Sequence, residues 1–190
     1  MKRRYVLFAL VFVTSFNLFS QESCIKQDSI PWNKNYRLKW SDFKGEPDTL
    51  SKEDAACAAS IYVKGFRDKG LPNFLVYNSF MKNDAWTRDS TSVMLLQHEQ
   101  LHFDIAEVYA RKIRKAVDSL RRKQIKTIDS YSVEITKLLS MFETTGKLYD
   151  EQTSHGTYGD RQSEWRQKIL KELQALNDYA AKPHLKLRTY

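Results

Sequence analysis

From Ser90 to Lys123 the chain runs without Pro or Gly. Within it Leu95, Leu101, Ile105, Val108, Tyr109, Ile113, Ala116 and Leu120 recur at helical spacing, which predicts one long helix with an apolar face. Ser90, Thr91 or Ser92 can cap its start. A second helix is predicted over 127–148, with Ile128, Tyr131, Ile135, Leu138, Leu139 and Phe142 on its apolar side. The stretch from Tyr149 to Gly156 is polar and glycine-ended and reads as a loop. A third helix, 160–176, carries Trp165, Ile169, Leu173 and Leu176.

Ahead of the helices the period shortens to two. Tyr36 to Trp40 alternates, Gly45 to Asp48 supplies a turn, and Ala58 to Phe66 alternates through Ile61 and Val63. After a turn over Lys69 to Pro72, Phe74 to Tyr77 with Phe80 reads as a further strand, one able to take up an extended peptide along its edge. Strands first and helices afterwards give an α+β fold: a small antiparallel sheet leading into a helical part.

Residues 1–20 read as a signal peptide rather than part of the fold. Lys2, Arg3 and Arg4 precede an apolar run from Val6 to Phe19, and Ser20, Gln21 and Ser23 follow. The run is shorter than the ~20 residues a membrane span needs, and Asn17 interrupts it. The expected product is a single exported domain, 21–190, secreted or periplasmic, with no stable membrane span after signal removal. Cys24 and Cys57 both fall in it, spaced unlike a zinc-thiolate motif and suited to a disulfide in an oxidising compartment.

Charge changes the picture little. Without Lys2, Arg3 and Arg4 the 31 basic residues fall to 28 against 23 acids, a net charge of +5 in place of +8. Arg111, Lys112, Arg114, Lys115, Arg121, Arg122 and Lys123 read as a solvated helix face that also holds Asp118. With no nucleic-acid module in the sequence, no nucleic-acid partner is expected.

The chemistry sits inside the long helix, at His98-Glu99-Gln100-Leu101-His102. Residues four apart on a helix differ by about 40° of rotation, so His98 and His102 can offer two imidazoles to one ion. Glu99 stands beside them, placed to act as general base toward water on a metal. Two inward histidines beside a carboxylate need partners that a zinc ion would provide.

A catalytic zinc takes three protein ligands. Glu107 falls about 180° around the wheel from His98, and Asp104 also points away, so the third must come from farther along. His184 lies in an unpatterned tail beside Pro183. His155 is favoured, beside Gly156, which permits close backbone approach; Glu143, Asp150 and Glu151 stay open as carboxylate alternatives.

Three separated motifs carry a resemblance: Leu38-Lys39-Trp40-Ser41-Asp42-Phe43-Lys44-Gly45, then His98 to Asp104, then Tyr149-Asp150 with Thr153, His155, Gly156, Gln162 and Trp165. They resemble a bacterial domain-of-unknown-function family described as predicted secreted zinc-dependent proteases. The resemblance implies an exported metallopeptidase-like domain of the zincin type; a protein or peptide substrate is the expectation for a hydrolase with this site. The competing expectation is an exported protein that binds metal or a partner without catalysis; Glu99 separates the two, since a purely structural site has no use for a base.

Overall fold

The computed structural model describes residues 29–181, so the segment 1–20, Cys24 and His184 lie outside the described residues. The long helix, α1, spans Val93–Arg122. Its start is set by Ser92, whose Oγ accepts the Leu95 N–H at 3.1 Å. Helix α2 is Ile128–Thr153 and helix α3 is Gly159–Ala175. No helix among the described residues is long and apolar enough to cross a membrane.

Among the described residues five strands precede them: β1 Ser29–Pro31, β2 Ala55–Ala56, β3 Ala59–Asp68, β4 Leu71–Met81 and β5 Trp86–Thr87. β3 and β4 form an antiparallel hairpin in register from Ala59↔Phe80 to Asp68↔Leu71. Its two turn residues, Lys69 and Gly70, both have positive φ (51° and 78°), the conformation that follows the twist of the flanking strands. β1 adds to the other side of β4, giving the order β1-β4-β3, while β2 and β5 make a separate two-stranded ribbon. The fold is therefore α+β, with a small antiparallel sheet and three helices.

Three sequence expectations need correction. Tyr36 to Trp40 is not a strand: it leads into a 3-10 turn at Trp40–Asp42. Its backbone is held by side chains instead of a ladder, the Leu38 N–H donating to Gln100 Oε1 at 2.8 Å and the Lys39 N–H to Asp42 Oδ2 at 3.0 Å. The alternation recorded the burial of Leu38, not strand pairing. Second, β4 is the central strand: β3 pairs along one side of it, and on the other β1 covers Ser79–Met81 while the Trp32 N–H takes the Asn78 carbonyl and Arg114 takes that of Val76, so the Phe74–Phe80 segment is no free edge strand.

The third correction concerns the basic face. Arg111 is 4 % exposed, and its Nε donates to Glu107 Oε1 at 2.9 Å while Nη1 donates to the Leu173 carbonyl at 2.7 Å. Arg114 donates to the same Glu107 oxygen at 3.1 Å and to the carbonyls of Val76 and Tyr179. Helix α1 packs on the sheet, on α2 and on α3, so Arg111 and Arg114 are enclosed, while Lys115, Arg122 and Lys123 lie exposed as expected. The buried carboxylate is matched by two guanidiniums that also donate to backbone carbonyls, which is what makes its burial tolerable. Glu107 thereby joins α1, α3 and β4 far from the two histidines.

Apolar packing fills the rest. Leu101, Ile105, Val108 and Tyr109 of α1 meet Tyr149 of α2 and Trp165, Ile169 and Leu173 of α3. Farther along, Ile113 and Val117 meet Tyr131, Ile135 and Leu139 of α2 over Val76 of β4. On the opposite flank Phe103 packs with Phe80, Phe43 and Leu38. The central helix is thus pinned on three sides along the turns that carry the histidines.

Candidate metal centre

Helix α2 continues past Leu148 through the stretch expected to be a loop. Tyr149 and Thr153, one turn apart, are both fully buried, and Thr153 Oγ1 donates back to the Tyr149 carbonyl at 2.7 Å. The helix stops at Ser154, which is left-handed, as are His155 and Gly156 after it (φ 48°, 52° and 86°). Asp150 is therefore a residue of the last helical turn, and it faces α1.

Three ligand atoms converge there. His102 Nε2 lies 2.7 Å from Asp150 Oδ1, His98 Nε2 lies 3.2 Å from the same oxygen, and the two Nε2 atoms are 3.2 Å apart. Zinc bonds to nitrogen and oxygen of about 2.0–2.1 Å at tetrahedral angles would set such atoms roughly 3.3 Å apart. The triangle is close to one face of that tetrahedron, slightly contracted at the His102–Asp150 edge. His98, His102 and Asp150 are the group able to hold a metal among the described residues.

Burial and charge fit the arrangement. Burial works against the Asp150 carboxylate, yet the two imidazoles outweigh it and hold its pKa well below the usual range. Burial lowers the pKa of His98. It also works against protonation of His102, but Asp150 and Glu99 more than compensate, and that pKa is raised. Tyr149 stacks on His98 (centroids 4.5 Å apart, planes at 20°) and meets His102 edge-on at 4.9 Å, so one ring fixes both imidazoles. Behind it Trp165 makes an edge contact at 5.4 Å and donates its Nε1–H to Gln152.

Glu99 is 3 % exposed, and its carboxyl lies within the influence of the Cys57 backbone N–H, between β2 and β3. Burial pushes its pKa up to about 7; the His102 charge and the Cys57 N–H oppose this, and Asp150 and Glu53 reinforce it. His155 stands at the rim with its side chain 53 % exposed, Nδ1 3.6 Å from Glu53 Oε1 and 4.0 Å from Asp150 Oδ1. The structure thus brings His98 and His102 together with Asp150, one of the carboxylates held open, and leaves His155 beside the group. Glu143 is half-buried and Glu151 exposed, both outside it.

Gly156 accounts for the close approach of the loop. A Cβ at its position would sit 2.9 Å from His98 Cβ and 3.0 Å from His98 Cγ. Its φ of 86° also lies in the region that favours glycine. The backbone therefore lies directly against the ring of His98.

No curated protein and no solved structure matches this chain. Residues 35–156, a span that holds His98, Glu99, His102, Asp150 and His155, match the family described as "Bacterial protein of unknown function (DUF922)", and the chain belongs to that family.

Proposed function

We propose that the protein is an exported zinc-dependent hydrolase of the peptidase class, with a zincin-like site. His98, His102 and Asp150 are its metal ligands and Glu99 its general base. The observation that carries this reading is the convergence of three ligand atoms within 2.7–3.2 Å of one another, next to a buried carboxyl. Two imidazoles and one carboxylate suit zinc and leave a fourth position open, the donor count of a catalytic rather than a structural site. Bound there, zinc would supply Lewis-acid polarisation of a carbonyl and draw the pKa of a water molecule toward neutrality.

The protein's own residues supply the proton chemistry. A base works best with a pKa near the working pH, and burial holds Glu99 at about 7. Glu99 takes one proton from water as its oxygen bonds to the scissile carbonyl carbon. As the C–N bond breaks, Glu99 returns that proton to the departing amine. The Cys57 N–H beside the carboxyl favours its charged form, which keeps burial from raising the pKa further. Among the described residues β3 pairs on one side only and begins two residues after Cys57, so an extended peptide could add to its other edge.

The deciding experiment measures the metal content of the purified chain with and without chelator, together with hydrolysis of a broad peptide library. One equivalent of zinc and chelator-sensitive cleavage are expected. Zinc without cleavage transfers the assignment to a metal-binding protein, and absence of zinc removes both.

A further inference from the structure

Every arginine among the described residues but two is held within 3.1 Å of a carbonyl or carboxylate oxygen. The two are Arg37 and Arg166. Arg37 Nη1 lies 3.9 Å from Asp104 Oδ2, too far for a hydrogen bond, and Arg166 acts on that carboxylate only through its charge. Both border one cavity of about 560 Å³, bounded by the first turns of α1, the first turns of α3 and Leu38. Leu101 and Asp104, which line it, are turned roughly 60° and 120° from His98, so it lies on another face of α1 than the metal ligands. The buried side chains of Leu38 and Leu101 and the exposed ones of Met94 and Leu170 make its walls apolar.

A second cavity, of about 260 Å³, shares Arg37, Asp104 and Leu170 with the first and carries the groove on past Lys34 to Gln174. On α3 the groove runs from Gly159 to Gln174, roughly 22 Å, the span of about seven extended residues. Val93 and Gly159, the first residues of α1 and α3, border it, so two helix N-termini add positive potential. Among the described residues Asp104 is the only carboxylate in either lining, and its Oδ1 already accepts from Trp32 Nε1 at 2.7 Å and Gln100 Nε2 at 3.1 Å.

We propose that this groove binds an extended acidic segment of another polypeptide, its carboxylates on Arg37 and Arg166 and its apolar side chains on Met94, Leu101 and Leu170. An unspent guanidinium fork matches a carboxylate in shape as well as charge. The apolar walls favour a carboxylate carried on an apolar body over a bare inorganic anion, and the length of the groove favours a chain over a compact molecule. Residues 182–190 of the protein itself have the wrong sign, with Lys182, Lys186 and Arg188 and no acidic side chain. The site stands apart from the metal chemistry, and its test needs no metal.

The full exported chain is titrated, in chelator, with a capped seven-residue peptide alternating leucine and glutamate and with its glutamine counterpart. Calorimetry gives the affinity, and the carbon-13-labelled methionine methyls give the place. The glutamate peptide is expected to bind, more weakly as salt is added, and to shift the Met94 methyl while leaving that of Met141 on α2 unmoved. Arg37→Ala and Arg166→Ala, both at exposed residues, should each weaken it about tenfold, the size of one charged hydrogen bond. Leu170→Glu, which sets a carboxylate in the groove, should abolish binding. Equal affinity for the two peptides, unchanged binding in both alanine variants, an unmoved Met94 methyl, or no binding at millimolar peptide overturns the proposal. So does a protein that ignores the peptide but holds anionic phosphatidylglycerol vesicles through Arg37 and Arg166, which would make the groove a lipid contact.

Discussion

His102 Nε2 and Asp150 Oδ1 lie 2.7 Å apart, joining the middle of α1 to the last turn of α2. Neither helix could present all three ligand atoms alone. The i,i+4 pair on α1 gives two directions, and a carboxylate arriving from a second helix closes the triangle.

Replacing Asp150 with Ala should therefore cost more zinc affinity than the roughly 10–100-fold that loss of an outer partner costs. His155→Ala should retain a full equivalent, because Nδ1 is 4.0 Å from Asp150 Oδ1 and points into the Glu53 pair. Metal analysis after dialysis, run on both variants, checks this. The reverse ranking would hand the third position to His155.

Glu99 should separate binding from chemistry. Glu99→Gln keeps the shape of the side chain but cannot accept a proton, so zinc should stay bound while hydrolysis falls by about 10²–10⁴-fold. Rate and metal content are scored on the same sample. Loss of both together would make Glu99 part of the metal's support, and an unchanged rate would remove it from the mechanism.

The site was half legible in the sequence, for reasons that can be named. His98 and His102 could be placed because an uninterrupted helical pattern fixes where residues four apart point. Asp150 could not be told from its neighbours. The run of polar residues after Leu148, closed by Gly156, suggested that the helix had ended, and only the burial of Tyr149 and Thr153 carries it onward. The spacing of Phe142, Tyr149 and Thr153, seven and then four residues, was the signal available. Arg111 and Arg114 failed for the opposite reason. A wheel assigns charges outward, whereas a helix enclosed on three sides has little outside to give. The two long strands were readable from alternation, but Tyr36 to Trp40 alternates equally well with no neighbour to pair with.

Asp42 accounts for the shape of that misread segment and carries a pH prediction. Its Oδ2 accepts from the Tyr36 hydroxyl at 2.8 Å and the Lys39 N–H at 3.0 Å, and Lys82 Nζ lies 3.3 Å from Oδ1. Burial works against the carboxylate, but these three donors outweigh it and lower its pKa in the folded state. A carboxyl with a lowered folded pKa stabilises fully above its unfolded value, about 3.9, and the contribution is lost as pH falls through the folded value. Asp42→Ala should cost about 1 kcal/mol at neutral pH, since a half-buried hydroxyl and a partly exposed backbone N–H lose their acceptor. Urea unfolding at pH 7 and pH 3 should show the gap between wild type and variant narrowing at the lower pH. A gap that stays constant would mean the charge plays no part.

Two glycines face the two histidines, and alanine at each should act in opposite directions. At Gly156 an added Cβ would collide with His98 Cβ at 2.9 Å, on a backbone whose φ of 86° costs an L-residue about 1–2 kcal/mol. His98 can move away only into Tyr149, 4.5 Å behind it, so the strain passes directly to the ligand triangle. Gly156→Ala should therefore lower both stability and zinc affinity. Gly146, inside α2, is different: its Cβ would lie 3.9 Å from His102 Nδ1, an ordinary contact, with helical backbone that alanine prefers. Gly146→Ala should raise stability by up to about 1 kcal/mol and leave zinc affinity unchanged. Denaturant unfolding and chelator competition on the two single variants give the comparison. If Gly156→Ala matched wild type in both, the loop would not be seated against His98 as described. If Gly146→Ala lost zinc, the ring of His102 would need more room than the present packing leaves it.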